Sequence, residues 1–179
     1  SMNTYEFADL IDDADQVATI IDPTSAYAQS AAAAMNRAID SEIITAATGA
    51  SKTGKSGSGS TDLAAAHIIA TGSAGLTVAK LLAAKEQLDL ADVDPSIPRH
   101  IAVSPQQVKD LLNTTEVKSS DFNTVKALAQ GTLDSFLGFQ FHMTNRLALS
   151  GTTRTCFAWA QDGLLLAVGQ DAKSRIEER

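Results

Sequence analysis

Cysteine is almost missing from this 179-residue chain: Cys156 stands alone. No disulfide can therefore form within it, and no cysteine-based metal cluster can be built. Thr155 and Phe157, the neighbours of Cys156, suit a strand, so a small packed core thiol is expected, with a reducing, cytoplasmic place of synthesis. Aromatic residues make up 5% of the chain, which leaves a core of alanine and aliphatic side chains. No apolar run approaches the roughly 20 residues that cross a bilayer, and no membrane partner is expected. No basic segment followed by an apolar stretch opens the chain, and Ser1-Met2 reads as an expression scar. Positive charge is also short: 14 Lys and Arg face 21 Asp and Glu, for a net charge of −7. Asp9, Asp12, Asp13, Asp15 and Asp22 crowd the first segment, and no stripe of basic residues appears. Sequence-specific nucleic-acid binding needs such a stripe to neutralise phosphates and is not expected.

What the chain does have is one long alanine-rich stretch. Residues 25 to 48 contain neither proline nor glycine. Ala28, Ala32, Met35, Ile39, Ile43 and Ala46 recur at three- and four-residue spacing, which predicts one amphipathic helix. Thr24 or Ser25 offers a cap after Asp22-Pro23, and Gly49 a stop. Residues 3 to 22 read as an incoming extended segment. Residues 50 to 61, rich in Gly, Ser and Lys, read as a flexible loop.

Beyond it, His67 to Ala70 suggests a strand, and Thr77 caps a second helix through about Leu90, with Val78, Leu81, Leu82, Lys85 and Leu88 in phase. His100 to Val103 suggests a further strand, and Ser104-Pro105 opens a third helix carrying Val108, Leu111 and Leu112. A short helix is expected near residues 124 to 130. Strands are expected at Phe136 to His142, Thr153 to Trp159 and Leu164 to Val168. Strand and helix alternating over residues 67 to 112 argue for an α/β lobe.

The sharpest chemical motif is Gly49-Ala50-Ser51-Lys52-Thr53-Gly54-Lys55-Ser56, which satisfies the phosphate-loop pattern G-x-x-x-x-G-K-[ST]. That chemistry needs a strand to deliver the loop and a helix opening near Lys55-Ser56, so that backbone N–H groups face the phosphates. Here a helix end precedes the motif and Gly-Ser repeats follow it. Gly49, Gly54, Lys55 and Ser56 are therefore read as a decoy, with a phosphate-loop nucleotide-binding protein as the alternative.

His67, His100 and His142 lack metal-ligand spacing and are expected to be structural. Asp89, Asp92 and Asp94 lack the glycine and closing glutamate of a calcium loop and read as a solvated helix end and turn. Gly54-Lys55-Ser56-Gly57-Ser58 fails the nucleophile-elbow pattern at its fifth position. Phe136, Phe139, Phe141, Phe157 and Trp159, with no basic groove beside them, read as packing residues. No catalytic residue, metal or cofactor is expected.

The order of segments goes further than any one of them. Asp22-Pro23-Thr24-Ser25 leading into the long helix, and Ile39-Asp40-Ser41-Glu42-Ile43-Ile44-Thr45-Ala46-Ala47-Thr48-Gly49 ending it, resemble tailed-bacteriophage major capsid proteins around their spine helix. Leu76 to Lys85 followed by Arg99-His100-Ile101-Ala102-Val103-Ser104-Pro105 does too, as do Phe136 to Leu147, Phe157 to Ala160, Leu164 to Gly169 and Lys173 to Arg179. The resemblance implies an α+β fold. A peripheral lobe would take residues 3–72 and 151–179 with a spine helix over 24–49, and an α/β axial lobe residues 73–150. It implies a non-enzymatic coat subunit, made in the host cytoplasm, that builds an icosahedral virion shell from pentamers and hexamers. Scaffold or portal proteins would be possible further partners. The acidic chain suits the wall of a DNA-filled compartment. The N-terminal arm, most of an extended loop and the C-terminal end of such proteins are expected to lie outside this sequence.

Overall fold

The computed structural model describes residues 3–6, 23–113 and 135–169. The chain divides into two compact units, Ser1–Ile43 with Leu166–Arg179, and Ile44–Leu165. Helix α1, Pro23–Thr48, follows from the proline-free alanine run. It opens at Pro23, whose fixed φ suits a first turn, so Thr24 and Ser25 fall inside the helix rather than ahead of it. Its expected stripe is partly wrong. Ala28, Ala32, Ile39 and Ala46 are exposed, while Ala31, Ala34, Met35 and Ala38 are half-buried and Ile44 is buried. With alanine on nearly every side, the helix has little apolar contrast to set its phase; among the described residues Ile44 is its buried side chain, packed with Ala102 and Leu147. In the first unit, Glu42 on α1 accepts hydrogen bonds from the Tyr5 hydroxyl and from Asn3 Nδ2. These bonds hold the Glu42 carboxyl below its usual range, and the same bond to Glu42 raises the Tyr5 hydroxyl.

The second unit is built on a four-stranded sheet ordered β4-β5-β3-β8: β4 Ser135–Phe136, β5 Phe139–Met143, β3 Arg99–Val103 and β8 Phe157–Ala160. β3 runs parallel to β5 and antiparallel to β8. One face carries Ile101, Val103 and Phe139. It is covered by Leu81 of helix α2 (Val78–Leu90) and Leu111 of helix α3 (Pro105–Leu112), with Phe141, Ala158 and Cys156 packed around them. Thr77 caps α2 by accepting from Lys80 N at 3.4 Å. At the start of α3, Gln107 Oε1 accepts from the Ser104 N–H at 2.8 Å, and Pro105 occupies the first turn. Of the expected apolar face of α2, Leu81 is buried, but Leu82 is 49% exposed.

Arg99 shows why β3 must start where it does. Alternation along the strand puts it on the core face with Ile101 and Val103. It is buried there, and Nη2 donates to Asp89 Oδ1 at 2.5 Å and to the Val93 carbonyl at 3.2 Å. The aspartate read as a solvated helix end is thus the anchor of the strand that follows. Asp94 instead accepts from Ser96 N at 2.8 Å, a bond that keeps its carboxyl below the usual range.

Several expected strands are corrected. Phe136 to His142 is not one strand: Leu137 and Gly138, with φ of 54° and 86°, reverse the chain between β4 and β5. Thr153 to Trp159 is likewise divided. β7 (Thr153–Arg154) pairs back on β6 (Leu149–Ser150), and β8 begins only at Phe157. His67 lies in a 3-10 turn, Ala65–His67, instead of a strand. Leu164 to Val168 forms no strand, and Leu165 is 94% exposed, because no neighbouring backbone is placed to pair with it among the described residues. A lobe boundary at residue 150 would pass through the β6–β7 turn and separate β8 from β3, with which it is hydrogen-bonded. The helix expected near 124–130, the tail from 173 and most of the incoming segment lie outside the described residues.

Candidate functional site

The phosphate-loop motif occupies the end of α1 and a β-hairpin. Gly49 follows the helix, and Ser51–Thr53 form β1, which pairs antiparallel with β2, Gly59–Thr61. The flexible loop expected over 50–61 is therefore ordered as two short strands. Gly54 and Gly57, at φ of 82° and 64°, supply the turn, and the Gly57 N–H donates to the Gly54 carbonyl at 3.1 Å. Lys55 and Ser56 sit exposed at its tip. The chain then returns as β2, and the next α-helix opens at Val78. A phosphate cradle needs convergent N–H groups at a helix start beside the Lys-Ser pair. Around Gly49, Gly54, Lys55 and Ser56 the described residues offer a hairpin turn in its place.

The histidines are distributed in a way the sequence did not suggest. His67 is exposed in its turn, far from the sheet strands in sequence. His100 on β3 and His142 on β5 meet on the sheet face opposite α2 and α3. His100 Nδ1 and His142 Nε2 are 3.0 Å apart, one ring donating and the other accepting. The parallel register explains the meeting. His100 pairs with Gln140 and Ala102 with His142, so the two histidines are diagonal neighbours on one face.

Trp159, the cross-strand partner of His100 on β8, completes the group. Its ring centroid lies 5.5 Å from that of His100 and 5.8 Å from that of His142, the latter pair stacked, and Phe157 lies against it at 5.1 Å. On the same face Ala102 and Leu147 are buried with Ile44, and Phe157 and Trp159 pack against them. Burial first, and the charge of His100 second, push the His142 imidazole below its ordinary pKa, so its neutral form is favoured. No histidine–histidine spacing in the sequence signals this pair. The signal lies in strand alternation, which puts His100, Ala102, Gln140, His142, Phe157 and Trp159 on one side once the register is known.

Among the described residues no cluster of three or more His, Cys, Asp or Glu is gathered as a metal centre, and no helix is long and apolar enough to cross a membrane. The aromatic residues pack as expected, with Phe139 fully buried. What the second unit presents is a sheet covered on one face by α2 and α3 and partly exposed on the other, with exposed loops and hairpins.

Comparison with known proteins agrees with that picture. No curated protein sequence matches the chain. A structure described as the capsid of the cyanophage P-SCSP1u superposes with a TM-score of 0.52 at 21% identity, over 77% of this chain and 46% of that one. The likeness shows a shared α+β fold, and the chain spans less than half the length of the solved capsid chain. The family model described as phage capsid protein matches residues 1–179, the whole length given. The chain therefore belongs to the phage capsid protein family, a family of structural rather than catalytic proteins.

Proposed function

We propose that this chain is part of the coat subunit of a tailed phage, and that the whole protein assembles as pentamers and hexamers into an icosahedral shell around DNA. The observation that carries the reading is the family match across residues 1–179. The fold shared with a cyanophage capsid supports it. In this reading α1 is the spine helix. The axial lobe is built on the β4-β5-β3-β8 sheet with α2 and α3, and a peripheral lobe includes Asn3, Tyr5 and the first turns of α1. Scaffold and portal proteins are its partners during assembly in the host cytoplasm. Nothing in this role needs a catalytic residue: a shell is held by many weak contacts, each side chain contributing area and shape.

Electron microscopy of the whole coat protein, expressed alone and with its scaffold, tests the proposal. Closed shells or rings of five and six subunits are the expected result. Dispersed monomers under every condition that promotes assembly would overturn it.

A further inference from the structure

The geometry points to a two-histidine site on the outer face of the sheet, at His100 Nδ1 and His142 Nε2, that takes a divalent transition-metal cation of the copper or nickel class. The 3.0 Å separation of the two nitrogens is the central observation. Imidazole nitrogens bind such ions at about 2.0–2.1 Å. Two ligands in neighbouring positions of a square-planar or tetragonal ion, about 90° apart, then lie about 2.9 Å from each other, whereas a tetrahedral ion spreads them to about 3.3 Å. The observed spacing fits the first arrangement, the one copper(II) and nickel(II) prefer.

The site is held before any ion arrives. Both rings stand on paired strands in a fixed register, and both lie against the Trp159 ring. The competing bond is a single hydrogen bond between the rings. An ion replaces it with two coordinate bonds once the donating ring has given up that N–H proton to water and taken one at its other nitrogen, and both rings have turned so that their lone pairs converge on the ion. His142 is exposed and leaves the remaining positions open to water.

Trp159 is the chain's one tryptophan, so its fluorescence reports the site directly. Titration of the full chain with nickel(II) chloride at neutral pH is expected to quench it saturably, with one ion per chain. His142→Gln and His100→Gln should each shift the midpoint at least tenfold to higher metal, and His67→Gln should leave it unchanged. Quenching of the same midpoint in the double variant His100→Gln/His142→Gln would overturn the site. Should a variant unfold by circular dichroism, paramagnetic resonance of the unaltered chain with one equivalent of copper(II) sulfate decides instead. Hyperfine structure from two imidazole nitrogens is expected, and coordination lacking them would overturn the site.

Discussion

Cys156 packs against the cluster of Leu81, Ile101, Val103, Leu111 and Phe139, and burial pushes its thiol up to about 11, with the charge of Lys80 offsetting part of that rise. Because the folded value lies above the unfolded one, the thiol's contribution to stability is present in full below an unfolded pKa of 9.0 and is lost as pH rises toward about 11. The nucleophile is the thiolate, whose population near neutral pH is reduced about 100-fold by a shift of roughly two units. Labelling with a thiol-specific disulfide reagent should therefore be on the order of 100-fold slower in the folded chain than in urea, and equal rates would contradict the burial.

Arg99 tells a similar story about charge. It is buried on the core face and its anchor Asp89 is half-exposed. Asp89→Ala leaves the guanidinium with the Val93 carbonyl, at a cost of about 1–3 kcal/mol, read as a lower urea midpoint. The sequence hid this pair because Asp89 stands among other aspartates at a helix end. Its one clue was that Arg99 shares the alternation of Ile101 and Val103.

At the scale of elements, helices were legible and strand ends were not. Thr77 and Ser104-Pro105 announce α2 and α3 through chemistry local to a single turn, which neighbours in sequence are enough to supply. Strands depend on partners far along the chain. Phe136 to His142 reads as one apolar run until the paired backbones of β4 and β5 require a reversal at Leu137-Gly138. Leu164 to Val168 has a strand's composition and, among the described residues, no ladder to join. Serine and glycine between residues 51 and 61 look like a linker, yet Gly54 and Gly57 take the positive φ that lets β1 and β2 pair. The β4–β5 turn offers a clean measurement. A Cβ at Gly138 would meet nothing within 4 Å, so any cost of Gly138→Ala comes from its φ of 86° alone. The substitution should destabilise by about 1–2 kcal/mol in denaturant unfolding. A neutral result would show that the turn relaxes to another geometry.

At the scale of the whole molecule, the α+β class and the coat-protein family were readable from the order of segments. The run of helix before the phosphate-loop letters was also readable, whereas the hairpin of β1 and β2 that follows it was not. The His100–His142–Trp159 face was not readable, since it exists only through the parallel register of β3 and β5. Net charge adds a constraint at this scale that no element shows. These 179 residues carry −7, so in the proposed shell this part of each copy repels its neighbours, and apolar contact has to exceed that repulsion. The Debye length shortens from about 10 Å at 0.1 M salt to about 3 Å at 1 M, which weakens repulsion between surfaces while leaving apolar burial intact. Assembly of the whole coat protein, followed by light scattering, should therefore proceed further as sodium chloride is raised across that range. Assembly that falls with salt would mean that complementary charges, such as the Lys52 and Lys55 hairpin against an acidic segment, dominate the contacts between subunits.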